Sequence, residues 1–227
     1  MQENYYSKNL NSGKLYKAYE TKLPRVKEYL EAEIGFVKDA LSGNENVLEL
    51  GAGYGRIMKE LAASCKSITG IDISEDNVSF GKEYLKAVDN ARLIIMDAHK
   101  IEEAVFETTF DSVLCMQNGL SSMKVEPFSY VKKIMSLISP GGRAFISTYS
   151  AKFWDNRLDW FIEQADKGLL GEIDFEQTKD GVIVCKDGFR ALTHSYEQFE
   201  EIGKHSGGHF EIKEINESSL FLVISKG

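Results

Sequence analysis

Residues 47–56 constrain the fold more than any other part of the chain. Their sequence is Val-Leu-Glu-Leu-Gly-Ala-Gly-Tyr-Gly-Arg, an apolar run with one acid followed by glycines at every second position. Apolar residues then recur at helical spacing at Ile57, Met58 and Leu61. The pattern predicts a buried strand, a tight turn and a helix.

The glycines Gly51, Gly53 and Gly55 suit a turn that passes close to a ligand. Glycine adopts positive φ without strain, and it has no Cβ to occupy the ligand's space. The helix after the turn directs unpaired N–H groups and the positive end of its dipole towards the turn. We therefore expect an anionic or carboxylate-bearing ligand there, with Ala52 inside the turn as a further contact.

Nicotinamide and flavin proteins also use a glycine turn, so the turn alone leaves the ligand open. Their fingerprint, Gly-x-Gly-x-x-Gly, differs from this stretch in two ways. Arg56 occupies the sixth position, with the third glycine one residue early, and Glu49 stands two residues before the first glycine. The pattern hydrophobic-Glu-hydrophobic-Gly-x-Gly-x-Gly resembles motif I of the class I S-adenosylmethionine (SAM) dependent methyltransferases. The resemblance implies that the turn and Glu49 bind SAM.

An acidic residue ends the second predicted strand, which covers residues 67–72. This residue, Asp72, lies 21 positions beyond Gly51. A carboxylate at that strand end can accept hydrogen bonds from both hydroxyls of a ribose. The resemblance implies this role for Asp72, and it implies that Ile73 packs on adenine. Nicotinamide proteins use an acid here too, so Asp72 indicates a nucleoside without identifying which one.

The third predicted strand, residues 91–96, is followed by Asp97 and Ala98. The family commonly has an aspartate and a small residue at this position. The resemblance therefore implies that this pair contacts an edge of the adenine. The alternative role for Asp97 is to cap a turn or a helix.

The fourth predicted strand, residues 110–116, leads into Gln117-Asn118-Gly119-Leu120. The resemblance places this segment beside the reactive carbon of SAM, with Gln117 against SAM and Asn118 against the methyl acceptor. Family members that methylate base amines usually carry Asn/Asp-Pro-Pro-aromatic here. The absence of that motif argues against a nucleic-acid base as acceptor.

The order of the predicted elements indicates an α/β fold. Strands alternate with helices as far as a fifth strand at residues 144–148, and two strands at 210–216 and 220–225 close the chain. The expected architecture is a three-layer Rossmann-like sandwich. Its sheet has seven strands, mostly parallel with an antiparallel C-terminal hairpin, and a small antiparallel β insertion follows the fifth strand.

We expect the chain to divide into three parts. Residues 1–45 form an N-terminal helical cap, residues 46–150 and 194–227 form the SAM-binding domain, and residues 151–193 form an inserted substrate lid. The insertion begins with an aromatic, helix-like stretch. Three short β-rich segments follow, at residues 172–177, 181–186 and 189–193, separated by two Lys-Asp-Gly turns.

Candidate substrate residues come from both covering parts. Tyr6 and Tyr19 belong to the tyrosine-rich N-terminus, and an aromatic ring over a sulfonium is a cation–π arrangement. These rings could instead pack the helix onto the domain. Trp154 and Arg190 belong to the insertion. Arg190 is suited to bind a carboxylate or phosphate, or to pair with the acidic Asp187.

His194 is the candidate general base for an oxygen or nitrogen nucleophile. It titrates near neutrality and lies where the insertion returns to the core. It could also be a loop histidine beside the helix cap at Ser195. The remaining histidines, His99, His205 and His209, show no ligand spacing, so no metal is inferred.

Composition excludes several classes of protein. The net charge of −8 over 227 residues argues against binding nucleic acid mainly by charge. The three cysteines, Cys65, Cys115 and Cys185, are too far apart for a metal motif or a disulfide framework. No secretory signal or membrane-spanning run is present, so a cytoplasmic location is expected.

The sequence predicts a SAM-dependent methyltransferase. It transfers a methyl group to an O, N or S nucleophile, and less readily C, of a small molecule by in-line displacement, releasing S-adenosylhomocysteine (SAH). We expect a monomer or homodimer without membrane contact. Two other functions stay open, an NAD(P)-dependent oxidoreductase and a non-catalytic SAM-binding partner of another enzyme.

Overall fold

The computed structural model describes residue 5, residues 9–101, residue 106 and residues 109–227. The candidate substrate residue Tyr6 lies outside the described residues. In the described part, no helix has both the length and the apolar character needed to cross a membrane.

The core of the fold is one sheet of seven strands in the order β3-β2-β1-β4-β5-β9-β8. The strands β1 to β5 run parallel to one another, whereas β9 runs antiparallel to both β5 and β8. The predicted sheet with its antiparallel C-terminal hairpin is therefore confirmed. The strands are β1 (Asn46–Leu50), β2 (Ser67–Asp72), β3 (Ala91–Ile95), β4 (Phe110–Cys115), β5 (Ile138–Tyr149), β6 (Ile183–Val184), β7 (Arg190–Ala191), β8 (His209–Ile215) and β9 (Ser219–Ser225).

The described residues also form eight α-helices, two of which begin at a proline. Proline suits the first helical position because its fixed φ matches the helix and its missing N–H would have no partner there. The helices are α1 (Ser12–Tyr19), α2 (Pro24–Ala40), α3 (Arg56–Leu61), α4 (Glu75–Tyr84), α5 (Gly119–Ser122), α6 (Pro127–Leu137), α7 (Trp154–Asp166) and α8 (Tyr196–Lys204).

The sheet buries both of its faces. Successive side chains of a strand point to opposite faces, so Val47 of β1 packs in one apolar cluster and Leu48 in another. The cluster around Val47 includes Val37 of α2 and Met58 of α3. The cluster around Leu48 includes residues of α6 and α8, such as Ile134. Helices therefore cover both faces, as a three-layer sandwich requires.

The segment of residues 151–193 is less β-rich than the sequence predicts. It contains α7 and one short antiparallel ladder, in which β6 pairs with β7. Of the strand expected over residues 172–177, only the first part pairs: Ile173 forms an antiparallel bridge with Cys185, and the chain turns after Asp174. The Asp174 carboxylate accepts hydrogen bonds from the amides of Glu176 (3.1 Å) and Gln177 (3.2 Å), which stabilises a turn.

Candidate functional site

The glycine turn joins the carboxyl end of β1 to the start of α3. Gly51, Gly53 and Gly55 all adopt positive φ, at 68°, 57° and 84°. This region of φ strongly favours glycine, which explains the spacing in the sequence. Because β1 and β2 are adjacent and parallel, Asp72 at the end of β2 lies at the same edge of the sheet.

The carboxylate of Asp72 is held by three donors. Its Oδ2 accepts a hydrogen bond from the Gly53 amide (2.9 Å). Its Oδ1 accepts from the Ser74 amide (2.9 Å) and from Nδ2 of Asn77 (3.1 Å). Burial raises the pKa of Asp72, and these hydrogen bonds oppose the rise. The carboxylate therefore has a defined orientation beside the turn.

A cavity of about 330 Å³ opens beside Asp72 at the ends of β2 and β3. Ile73, Asp97 and Ala98 line it, so the structure brings together the three residues that the sequence assigns to adenine. The Ile73 side chain is 41% exposed, which is unusual for a large apolar residue. The Asp97 carboxylate also caps a short 3₁₀ helix by accepting from the His99 amide at 3.0 Å.

A second cavity, of about 150 Å³, lies on the other side of the turn. It shares Gly51, Asp72 and Met123 with the first cavity, so the two form one elongated site. We call this second cavity the main cavity. Its walls come from three parts of the chain: the core, the N-terminal segment and residues 151–193. The N-terminal segment contributes Leu10, Leu15, Ala18 and Tyr19. Residues 151–193 contribute Trp160, Phe161, Gln164, Leu170, Phe189 and Ala191.

Three polar side chains that line the main cavity have buried atoms without a hydrogen-bond partner among the described residues. These atoms are Glu49 Oε2, Arg56 Nη2 and Gln117 Nε2. Glu49 is only 4% exposed. Burial raises the pKa of Glu49 to about 8, although the neighbouring Arg56 lowers it. Buried polar groups are normally paired, so this arrangement is suited to a ligand that carries both an acceptor and a donor.

The Arg56 side chain also contacts the N-terminal segment. Its guanidinium carbon lies 4.5 Å from the centre of the Tyr19 ring, within cation–π range. Burial raises the pKa of Tyr19, which keeps its hydroxyl protonated. Arg56, which departs from the dinucleotide fingerprint, is thus a wall of the main cavity.

The helix α1 covers the glycine turn. The Ser12 amide at its start donates a 2.6 Å hydrogen bond to Oδ1 of Asn77, and the same Asn77 amide group holds Asp72. Leu15 packs so close that a Cβ on Gly53 would lie 2.9 Å from its Cδ2. The N-terminal segment is therefore in contact with the turn and with the acid beside it.

The segment after β4 has an unusual backbone. Gln117 and Asn118 adopt positive φ, at 52° and 62°. The side-chain oxygen of Asn118 accepts from Oγ1 of Thr148 (2.9 Å), and its nitrogen donates to the carbonyl of Leu192 (2.6 Å). Asn118 lines the main cavity, but its amide connects β5 to the chain that returns from residues 151–193.

Two candidate substrate residues of the insertion lie away from the main cavity. Trp154 packs against the apolar cluster of Phe161 and Phe189 without lining the cavity, and Trp160 lines the cavity instead. The two tryptophans are six positions apart, which rotates them by roughly 240° around a helix, so they cannot share a face. Arg190 is exposed on β7 and does not line the main cavity, although its neighbours Phe189 and Ala191 do; the three residues together line a small side cavity.

His194 is not among the described residues that line the main cavity or the cavity beside Asp72. Its ring stacks on Phe199, with the ring centres 5.8 Å apart. Burial lowers the pKa of His194, so its neutral form is favoured. In the described part of the chain, no group of three or more His, Cys, Asp or Glu side chains could hold a metal ion.

The structure identifies two buried charged residues that the sequence did not single out as functional. Arg157 on α7 is fully buried, and it donates to the carbonyls of Gly181 (2.9 Å) and Ala191 (3.3 Å). Nothing in the sequence distinguishes it from an exposed helical arginine. Glu33 on α2 is also fully buried. A signal was present in this case, because Glu33 occupies a position in the apolar stripe of the helix.

The parallel sheet, the glycine turn after β1 and the acid at the end of β2 define a Rossmann-like methyltransferase fold. The chain belongs to the methyltransferase domain family, whose model matches residues 41–173. The resemblance that the sequence predicts is therefore confirmed.

Several characterised proteins are similar to part of the chain. A ubiquinone biosynthesis O-methyltransferase from Idiomarina loihiensis is 27% identical over 127 residues, covering 53% of this chain and 51% of that protein. A ubiquinone/menaquinone biosynthesis C-methyltransferase from Geotalea daltonii is 32% identical over 111 residues, covering 47% of this chain and 46% of that protein. The chain thus spans about half the length of the curated relatives it matches.

The structure of DhpI in complex with SAH is similar over almost the whole chain. The TM-score is 0.66, with 15% sequence identity, and the match covers 98% of this chain and 94% of that one. At this level of identity the similarity shows the fold alone.

Proposed function

We propose that this chain is a SAM-dependent methyltransferase that acts on a small-molecule acceptor and releases SAH. The unpaired polar groups of the main cavity carry the proposal. Arg56 can bind the carboxylate of the amino-acid end of SAM, Glu49 can bind its ammonium, and the amide of Gln117 can donate to it. Each pairing satisfies a buried group that otherwise lacks a partner.

The remaining contacts to SAM follow from the two adjoining cavities. We assign the backbone of Gly51, Ala52, Gly53 and Gly55 to the close approach of the ligand at the turn. Asp72 is assigned to the ribose, since its carboxylate is held at the point where the two cavities meet. The adenine is assigned to Ile73, Asp97 and Ala98, which line the cavity beside Asp72.

SAM supplies an electrophilic methyl group on a positively charged sulfur. The chain contributes placement, because an acceptor held next to the methyl group avoids the entropy of encounter. The apolar walls of the main cavity exclude water from the site. Tyr19 lines the main cavity, and its ring lies over the guanidinium of Arg56.

We retain the division into a cap (residues 1–45), a SAM-binding domain (46–150 and 194–227) and a lid (151–193). It is supported by the contact of Leu15 with the turn and by the side chains of residues 151–193 that line the main cavity.

The acceptor atom is proposed to be O, N or S, and less readily C. A monomer or homodimer, a cytoplasmic location and the absence of nucleic-acid partners stay predictions. Tyr6, Tyr19, Asn118 and Arg190 stay predicted substrate residues. Trp154 and His194, which the sequence predicts as a substrate contact and a general base, line neither cavity, and we expect neither role for them.

The first experiment is a calorimetric titration of the purified chain with SAM, SAH and NADH. We expect SAM and SAH to bind and NADH not to bind. Arg56→Ala should weaken SAH binding, whereas Arg92→Ala, an exposed arginine on β3 that lines neither cavity, should not. Binding of NADH in place of SAM would overturn the proposal.

Turnover needs a separate measurement. Methyl-labelled SAM is incubated with the chain and a panel of phenols, amines, thiols and activated carbon acids. Transfer of label to any acceptor, at a rate that the Arg56→Ala variant lowers, supports an enzyme. SAM binding without transfer to any member of the panel would favour a non-catalytic SAM-binding partner.

A further inference from the structure

The part of the main cavity formed by residues 151–193 is lined by uncharged side chains. We call it the inner compartment and define it by Trp160, Phe161, Gln164, Leu170 and Phe189. All five are buried in the fold. The charged groups of the main cavity, Glu49, Arg56 and Asp72, belong to the core of the domain. An apolar, flat molecule fits the chemistry of the inner compartment.

One polar side chain, Gln164, breaks the apolar surface of the inner compartment. Its Nε2 donates to the carbonyl of Trp160, one helical turn earlier, at 3.3 Å. That bond fixes the amide and leaves its oxygen as an acceptor for a ligand. A hydroxyl or amine of the acceptor is the matching group.

A small side cavity of about 20 Å³ adjoins the inner compartment on its outer side. It shares Phe189 and Ala191 with the main cavity. Two cationic side chains, Lys124 and Arg190, line it, and no carboxylate is among its described lining residues. We call this side cavity the mouth.

The two cations of the mouth are exposed, and neither forms a hydrogen bond through its side chain or an ion pair with a described residue. The nearby Asp187 forms no ion pair with either cation; its carboxylate accepts hydrogen bonds from the Tyr5 hydroxyl and the Phe189 amide. Lys124 also adopts a positive φ of 55°. A lysine is uncommon in that region of φ, where glycine or asparagine is usual.

We infer that the methyl acceptor is an amphipathic molecule with a carboxylate, sulfonate or phosphate group. Its uncharged, flat apolar part occupies the inner compartment, and its anionic group lies in the mouth between Lys124 and Arg190. This inference rests on the proposed function and names the substrate class of the same site. It also explains how an acidic chain attracts an anionic substrate, since two exposed cations line one side cavity next to the main cavity.

The test compares two probes that differ by one anionic group, 2-naphthol and 6-hydroxynaphthalene-2-sulfonate. Their affinities are measured by calorimetry on SAH-saturated protein at low ionic strength. We expect the sulfonate to bind about fivefold to tenfold more tightly, since an exposed ion pair contributes roughly twofold to fivefold. The preference should diminish in 0.5 M salt because screening weakens exposed pairs.

The variant that removes both cations is Lys124→Ala with Arg190→Ala. Because Lys124 also lines the cavity assigned to adenine, the SAH affinity of this variant is measured first and SAH is kept saturating. The ratio of the two probe affinities should then fall to about one. The matched control, Lys132→Ala with Arg92→Ala, removes two exposed cations that line neither the main cavity nor the mouth and should retain the preference. Equal affinity of the two probes for the unmodified protein, no binding of either, or an unchanged preference in the first variant would each overturn the inference.

The outcome separates this inference from the proposed function. If SAH itself does not bind, the proposed function is overturned, whatever affinity the two probes show. If SAH binds with its expected dependence on Arg56 but the sulfonate is not preferred, only the substrate class is overturned. The two probes can also serve as methyl acceptors, and a lower KM for the sulfonate at unchanged kcat would support the same conclusion.

Discussion

The backbone amide of Gly53 donates a 2.9 Å hydrogen bond to the carboxylate of Asp72. The two residues belong to different strand ends, and the bond connects the glycine turn to the acid that ends β2. Asn77 of α4 donates to the same carboxylate and accepts from the Ser12 amide of α1. The glycine turn, α4 and α1 are therefore connected through Asp72 and Asn77. A ligand that contacts Asp72 therefore affects the turn and the N-terminal helix together.

The first prediction concerns Asp72. Asp72→Ala should weaken SAH binding by roughly 1–3 kcal/mol, the range for losing hydrogen bonds to a charged group. The measurement is calorimetry on folded protein. Glu75→Ala, which removes an exposed acid nearby on α4, is the control and should leave the affinity unchanged. An unaltered affinity in Asp72→Ala would show that the ribose does not bind at the end of β2.

The second prediction is a pH dependence of SAH binding that Glu49 controls. Burial raises the pKa of Glu49 to about 8, so the group is largely protonated at pH 6 without ligand. The ammonium of SAH favours the carboxylate, so binding releases a proton from Glu49. Affinity should therefore rise between pH 6 and pH 7.5, by at most about tenfold per pH unit.

Glu49→Gln is the matched variant for this pH dependence, because it keeps the shape of the side chain and removes its titration. Calorimetry at several pH values should give a flatter profile for the variant than for the unmodified protein. Parallel profiles would show that Glu49 does not contact the ammonium.

The third prediction concerns stability and Glu33. Burial raises the pKa of Glu33 to about 7. The Ser147 hydroxyl and the charge of Arg56 lower this pKa, but their effect is smaller than that of burial. The unfolded value is about 4.3, so the folded state binds the proton more tightly. The contribution of the protonated group to stability is complete below the unfolded pKa and is lost as the pH rises through 7.

Glu33→Gln mimics the protonated form at every pH. The melting temperature of the variant should exceed that of the unmodified protein at pH 8, by about 4 °C or more, and the gap should shrink at pH 5. Glu31→Gln, at an exposed position of the same helix, should show no such gap. A gap that does not change with pH would mean that Glu33 is ionised throughout the range.

The fourth prediction separates the two tryptophans of α7. Trp160 lines the main cavity and its Nε1 donates to the Ala18 carbonyl at 3.0 Å, whereas Trp154 packs against Phe161 and Phe189 without lining the cavity. Trp160→Leu should lower turnover by about tenfold or more, because a misplaced acceptor reacts slowly, with a smaller effect on SAH affinity. Trp154→Leu should leave turnover within about twofold per folded molecule. A larger loss of turnover in Trp154→Leu than in Trp160→Leu would show that the acceptor contacts Trp154.

The fifth prediction concerns His194. Because its ring packs on Phe199 and lines neither cavity, His194→Ala should lower stability by about 0.5–1.5 kcal/mol, the contribution of an aromatic pair. Turnover at saturating acceptor should stay within about threefold. A general base contributes roughly 100-fold to 10,000-fold, so a loss of that size would make His194 the base after all.

The sequence was most informative where the signal is local. Glycines at alternate positions predict positive φ, and Gly51, Gly53 and Gly55 all adopt it. The acid at the end of the second strand, Asp72, lies beside them, because neighbouring parallel strands end at the same edge of a sheet. Predictions that needed side-chain direction were weaker, as Trp154 shows, because Trp160 lines the main cavity instead.

The sequence by itself determined the strand–turn–helix unit, the parallel sheet and the methyltransferase family, because backbone preferences and strand periodicity act over a few residues. Only the tertiary structure decided that Trp160 rather than Trp154 lines the main cavity, and that Arg157 is buried against the carbonyls of Gly181 and Ala191. The rotation of α7 and the burial of its arginine depend on segments far away in the chain. No window of sequence around α7 contains those partners, so the composition of the acceptor site emerges only when the whole chain packs.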